Sequence, residues 1–104
     1  MNRADIYTAI DAERAQQSAK WDRPHTHGSG DCSSPDVPTA VKVAVLTEEV
    51  GEVARAYLEG DEDALRIELV QVAAVAVAAL ECPTLIPTTA GPCDVPLFDL
   101  ETTR

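Results

Sequence analysis

The stretch "LTEEVGEVARAYLEGDEDALRIELVQVAAVAVAALE", Leu46 to Glu81, decides how the chain is read. It consists of two apolar-periodic runs divided by Gly60 and an acidic triplet. Leu46, Val50, Val53 and Tyr57, with Val43 just upstream, recur at steps of three and four, the spacing of one helix face. Extended backward, this helix starts near Pro38 or Thr39, because proline suits a first turn. It ends at Glu59 before Gly60, which suits a C-terminal cap. The next helix begins in Asp61–Asp63, where the side chains can cap free N–H groups and meet the positive end of the dipole. It runs to about Glu81, and Pro83 stops it. Beyond Glu68 nearly every face of it is apolar, so it is expected to be the central, most buried helix. The run from Ala64 to Glu81 is too long for a buried strand, and no convincing alternating strand occurs elsewhere. The fold class is all-α.

Outward from this pair, a first helix is expected over Arg3 to Lys20. Ile6, Ile10, Glu13, Gln17 and Trp21 form its stripe, apolar at the start and polar further on. Two readings of the polar half stand: a solvent-facing end, or a stripe that runs from the core into a polar pocket. "DRPHTHGSGDCSSPDVP", about residues 22–38, is rich in Pro, Gly and Ser and reads as a loop or mobile segment. From Cys82 onward four prolines and no sustained period indicate a tail, residues 82–104, behind an all-α domain over residues 1–81. Roughly 60 residues of regular structure are marginal for an isolated core. Self-association is the expected way to complete it.

The net charge of −10 disfavours nucleic acid and anionic membrane surfaces as partners, since both would be repelled. The run from Leu69 to Leu80 is too short to span a bilayer, and no signal peptide pattern is present. Three widely spaced cysteines fit a reducing, cytoplasmic setting better than a disulfide framework.

Glu49 and Glu52 are three residues apart, as are Glu68 and Gln71, so each pair shares a helix face. At about 100° per residue, Glu49 lies beside the apolar stripe next to Val53, with Glu52 and Glu48 further round and Lys42 two turns earlier in line with Glu49. An EExxE run can be a plain solvated face. If the two helices form a hairpin, however, the pairs face each other, and three carboxylates with an amide oxygen enclose a small volume. Such an oxygen-rich set suits Mg²⁺ or Mn²⁺, and the cation would offset the cost of holding acids at the edge of a core.

"EEVGE" at Glu48–Glu52, a fifteen-residue spacer and "ELVQ" at Glu68–Gln71, together with "ERAQQSAKWD" at Glu13–Asp22, resemble the MazG-like nucleoside triphosphate pyrophosphohydrolases over about Ile6 to Glu81. The resemblance implies an all-α fold whose antiparallel helices build a four-helix-bundle-like core on homodimerisation, or a homotetramer. It implies Mg²⁺-dependent cleavage of a nucleoside triphosphate between its α and β phosphates, giving a monophosphate and pyrophosphate. Glu49, Glu52 and Glu68 match the family's metal-binding acids, and Glu48 would orient or deprotonate the attacking water or help hold a second ion. Lys20 and Trp21 fall in the segment that would lie near the nucleotide, for a phosphate and a base respectively. Lys42 and Arg55 are further phosphate candidates by helical angle. Gln71 departs from the pattern, which has Asp there; it offers a carbonyl oxygen but no charge. That departure keeps open the alternative of a non-catalytic helical module that binds nucleotides or a protein partner.

His25, His27 and Cys32 lie close in sequence but lack the paired spacings of a zinc site. They are assigned instead to a loop able to close over a nucleotide. No P-loop, nucleophile elbow or EF-hand loop is present.

Overall fold

The computed structural model describes residues 1–83; the segment from residue 84, most of the expected tail, lies outside them. Helix α1 covers Arg3–Lys20, α2 covers Thr39–Leu58 and α3 covers Glu62–Glu81. All three boundaries agree with the sequence reading to within a residue or two. Asn2 caps α1 by accepting the Asp5 N–H at 2.9 Å, and Asp61 caps α3 by accepting the Ala64 N–H at 3.0 Å.

The turn between α2 and α3 is closed by two backbone bonds. Gly60 N–H donates to Tyr57 C=O and Asp61 N–H donates to Ala56 C=O, both at 3.1 Å. This is a Schellman ending, and it places Gly60 at φ +70°. A Cβ at Gly60 would meet open space, so Gly60→Ala is expected to cost about 1–2 kcal/mol through the left-handed backbone alone. A urea titration of this variant checks the value, and an unchanged midpoint would show that the turn adopts another geometry.

Helix α3 lies between the other two, packing against both, while α1 and α2 do not pack on each other. The end of α3 returns to the start of α2, where Lys42 Nζ donates to Cys82 C=O at 2.7 Å, so these two helices are antiparallel. Helix α1 instead runs with α3. Ile6 and Ile10 line a groove with Leu69, Val70 and Ala73 near one end, and Arg14 reaches Glu81 at the other.

The buried apolar residues are few: Val37, Ala56, Ala74, Val75, Ala78 and Cys82. Small residues on α3 allow close approach of its neighbours, as its central position requires. The stripe expected to be buried on α2 is not. Val43, Val50 and Tyr57 are 57%, 51% and 73% exposed. The face turned inward is displaced from it and carries Lys42, Val45, Glu49, Glu52 and Ala56. Periodicity located an apolar stripe correctly, but among the described residues most of it is left uncovered.

The connection from α1 to α2 is more ordered than a Pro/Gly/Ser-rich composition suggests. A two-residue ladder, β1 (Pro24–His25) against β2 (Gly28–Ser29), is antiparallel and pairs His25 with Gly28. Gly28 has φ +131°, and a Cβ there would collide with the Asp36 carbonyl, so only glycine closes this turn. Val37 then enters the core as the chain approaches α2. Of the two described cysteines, Cys32 is a free thiol and Cys82 is not, which weakens the reading of the cysteines as signs of a reducing setting.

Candidate functional site

Because α1 and α2 flank α3 without touching, a cleft of about 610 Å³ opens between them, with Gln71 and Val75 of α3 on its floor and the connecting loop at its side. One wall carries Glu48, Glu49 and Glu52 from α2; the other carries Glu13, Gln17 and Lys20 from α1. Trp21, His25, His27 and Cys32 complete it. The polar half of the α1 stripe thus runs into a pocket, the second of the two readings.

The hairpin brings the acids of α2 and α3 together. Glu49, Glu52 and Glu68 each offer one carboxylate oxygen, and these three atoms lie within 4.8 Å of one another, all half-buried. Burial pushes the Glu49 carboxyl above its ordinary range, and the charges of Glu52, Glu68, Glu48 and Glu13 push it further. Glu68 is raised for the same reason, first by desolvation and then by a hydrogen bond and charge shared with Glu52. Gln71 is the partner this crowding requires. The hydrogen-bond network sets its amide nitrogen toward the acids, donating to Glu68 at 2.8 Å and Glu49 at 3.3 Å. In this ion-free arrangement the amide nitrogen faces the carboxylates; the opposite flip of the same amide turns toward them the carbonyl oxygen expected of a metal ligand.

Two of the expected phosphate ligands are elsewhere. Lys42 shares a helix face with Glu49, but seven residues carry it about 10 Å along the axis. It is 1% exposed, and its ammonium is committed to the Cys82 carbonyl at the end of α3. Helix α3 has no basic residue in its own last turn, so Lys42 supplies the cation that its dipole favours. Burial lowers the Lys42 pKa, opposed by Cys32 and Asp31. Arg55 is exposed on α2 and does not line the cleft. Lys20 and Trp21, by contrast, do line it.

Sequence reading missed Arg14 and Asp31, which fix the loop. Arg14 donates to Asp31 at 2.8 Å, to Glu81 at 3.0 Å and to Gln17 at 3.2 Å, tying α1, the loop and the end of α3. The Arg14 and Asp31 side chains are 12% and 8% exposed. Arg14 adjoins the Ile10–Gln17 stripe, which is the signal that could have marked it. Asp31 also accepts from the Ser33 N–H and hydroxyl. Burial alone would raise the Asp31 pKa, but the bonds from Ser33 and Arg14 hold it below the usual carboxylate range.

These opposed shifts set a pH profile. Glu49 and Glu68 bind protons more readily folded than unfolded, so their contribution is fully present at low pH and is lost as pH rises through their folded range. Asp31 has the opposite sign and loses its contribution as pH falls through its depressed range. Chelator-treated protein is expected to gain stability from about pH 7 to about pH 5 and to lose it again on further acidification. Thermal melts across this range check it; steady loss from neutrality downward would mean that the acids do not repel.

The His25 ring is held as a structural group, while His27 enters these contacts through its backbone and lines the cleft. His27 N–H donates to His25 Nδ1 at 3.2 Å, and His25 Nε2 lies 2.7 Å from Gly30 C=O, so Nε2 carries the proton and both ring nitrogens are used. Burial, followed by the Asp31 charge, raises the Cys32 thiol, which disfavours a thiolate.

The chain matches no family model, no curated protein and no solved structure. Among the described residues, no helix is long and apolar enough to cross a membrane.

Proposed function

We propose that the chain is a Mg²⁺-dependent nucleoside triphosphate pyrophosphohydrolase acting between the α and β phosphates. The observation that carries this reading is the convergence of Glu49, Glu52 and Glu68 from two helices, with Glu49 and Glu52 lining a cleft that also holds Trp21 and Lys20. The donor set suits a hard cation: it is all oxygen and partly desolvated, and Glu49 and Glu68 are raised in pKa first by burial and then by the repulsion of neighbouring acids, which a cation would relieve. Mg²⁺ or Mn²⁺ there would neutralise phosphate charge and lower the pKa of a water. Glu49, Glu52 and Glu68 hold the ion, while Gln71 keeps Glu49 and Glu68 in register by donating to both. Glu48, exposed on the same wall, is the group positioned to orient the attacking water or take its proton. Lys20 meets a phosphate and Trp21 the base.

The same reading includes a homodimer or higher homo-oligomer. Val43, Leu46, Val50, Val53 and Tyr57 alternate at steps of three and four along a largely uncovered α2 face, the pattern of a helix–helix seam. Replacing both Val50 and Tyr57 by Glu is expected to yield monomer in light scattering; an unchanged mass would place the interface elsewhere.

Pyrophosphate release from a panel of nucleoside triphosphates, with Mg²⁺, Mn²⁺ or chelator, tests the activity. Metal-dependent pyrophosphate from some members supports it and ranks the bases. Orthophosphate instead would mean cleavage at another bond. No product, with nucleotide still bound, would favour the non-catalytic module that Gln71 leaves open.

A further inference from the structure

Trp21 is not a bare ring at the cleft. Lys20 Nζ lies 5.5 Å and Arg23 Cζ 5.2 Å from the centroid of its indole, both over the ring. His25 meets it edge-on, with ring centroids 5.8 Å apart and planes at 82°. His25 is fixed by its two nitrogens, as described above. The two cations are not fixed: among the described residues, neither side chain makes a hydrogen bond or an ion pair. They rest on the only π-face of indole type in the chain, since Trp21 is its single tryptophan.

Resting on the reading of the cleft as a nucleotide site, we propose that Lys20 and Arg23 cover Trp21 until a polyphosphate draws them off, so that phosphate chain and base bind cooperatively. An exposed cation–π contact is worth roughly a twofold to fivefold factor in an equilibrium. A phosphate is the stronger partner for both groups, through charge-assisted bonds that a guanidinium makes in pairs. Once they have moved, the indole face of Trp21, a residue 37% exposed even with the cations over its ring, is free for an aromatic base. The ligand class selected is a nucleoside polyphosphate, because a nucleoside offers nothing to displace the cations and a monophosphate has a single group for two of them. The same coupling favours release of a monophosphate product, since the cations return to the ring when the rest of the phosphate chain leaves.

Emission from Trp21 reports the ring without any turnover. Adenosine, guanosine, cytidine and thymidine are titrated with and without inorganic triphosphate and Mg²⁺. Triphosphate is expected to tighten nucleoside binding about threefold to tenfold. Arg23→Met is expected to tighten nucleoside binding by about twofold to fivefold without triphosphate, and to shrink the triphosphate effect. A plain phosphate ligand at position 23 would leave nucleoside affinity unchanged, and that result overturns the proposal. So does an unchanged nucleoside affinity on adding triphosphate, or no quenching by any nucleoside at millimolar concentration. Calorimetry with whole nucleoside triphosphates separates the two readings. No heat with any of them would sink both; binding without coupling between its two parts would sink the gating alone.

Discussion

Glu49→Gln is expected to lower pyrophosphate release by about a thousandfold or more, equivalent to about 4 kcal/mol in the barrier, while leaving the helices and the oligomer intact. Glu49 is the acid most exposed to the others: burial and then the charges of Glu52, Glu68, Glu48 and Glu13 all act on it. Removing its charge takes away a ligand oxygen and also relieves repulsion. The variant treated with chelator is therefore expected to be more stable than the parent, by a few tenths to about 1 kcal/mol given its partial exposure. With Mg²⁺ the order reverses, because only the parent gains the stabilisation that comes from ligand binding to the folded state. Turnover assays and paired melts, with and without metal, make the measurement. Unimpaired turnover would move the chemistry away from this cluster. Lost turnover together with lost stability in chelator would mean that Glu49 is a structural acid.

The second large effect is expected at Arg14. Arg14→Met removes the guanidinium but keeps most of the stem, and it leaves the nearly buried Asp31 carboxylate without its cation. Stranding one member of a buried pair puts the loss at about 3 kcal/mol, a large share of the 5–15 kcal/mol typical of a whole domain. Arg14→Lys is expected to fall between, since an ammonium cannot reach Asp31, Glu81 and Gln17 together as the planar fork does. Adding Asp31→Asn to Arg14→Met should restore part of the loss, because the stranded charge is then gone. Denaturant titrations of Arg14→Met, Asp31→Asn and the double variant, beside the parent, give the coupling directly. Simple additivity would show that the pair contributes nothing in solution.

How legible these features were in the sequence follows from their range. The helices and their caps depend on spacings of three and four residues, so Asp61, Gly60 and the run from Ala64 to Glu81 announced themselves. The convergence of Glu49, Glu52 and Glu68 needed one further inference, that a short turn makes a hairpin, and that inference is local too. Lys42 and Arg55 failed because an angle on a helical wheel says nothing about height along the axis or about which helix lies opposite. The burial of the α2 stripe failed for a different reason. Periodicity identifies a face that prefers to leave water, but not what covers it. Arg14, Asp31 and the tautomer of His25 depend on contacts between segments, and composition averages those away. For Gln71 the sequence predicted a carbonyl ligand; next to carboxylates without an ion, the donor side of the amide satisfies them, and only a bound cation would call for the other side.

The arrangement of α1 has a consequence for how the molecule opens. It buries no residue fully and packs on one helix alone, α3, with Arg14 reaching the loop, whereas α2 and α3 share a short turn, an antiparallel interface and the Lys42 bond. The hairpin is a local unit of low contact order; α1 joins it across long sequence separations, sixty-seven residues in the case of Arg14 and Glu81. Sub-global unfolding should therefore release α1 first. The three acids would stay together on the hairpin while Glu13 and Trp21 depart. A small ion held by the acids alone would leave the amide exchange of α1 nearly unchanged. A ligand long enough to span both walls would slow it, so exchange protection in α1 reports how much of the cleft a ligand fills.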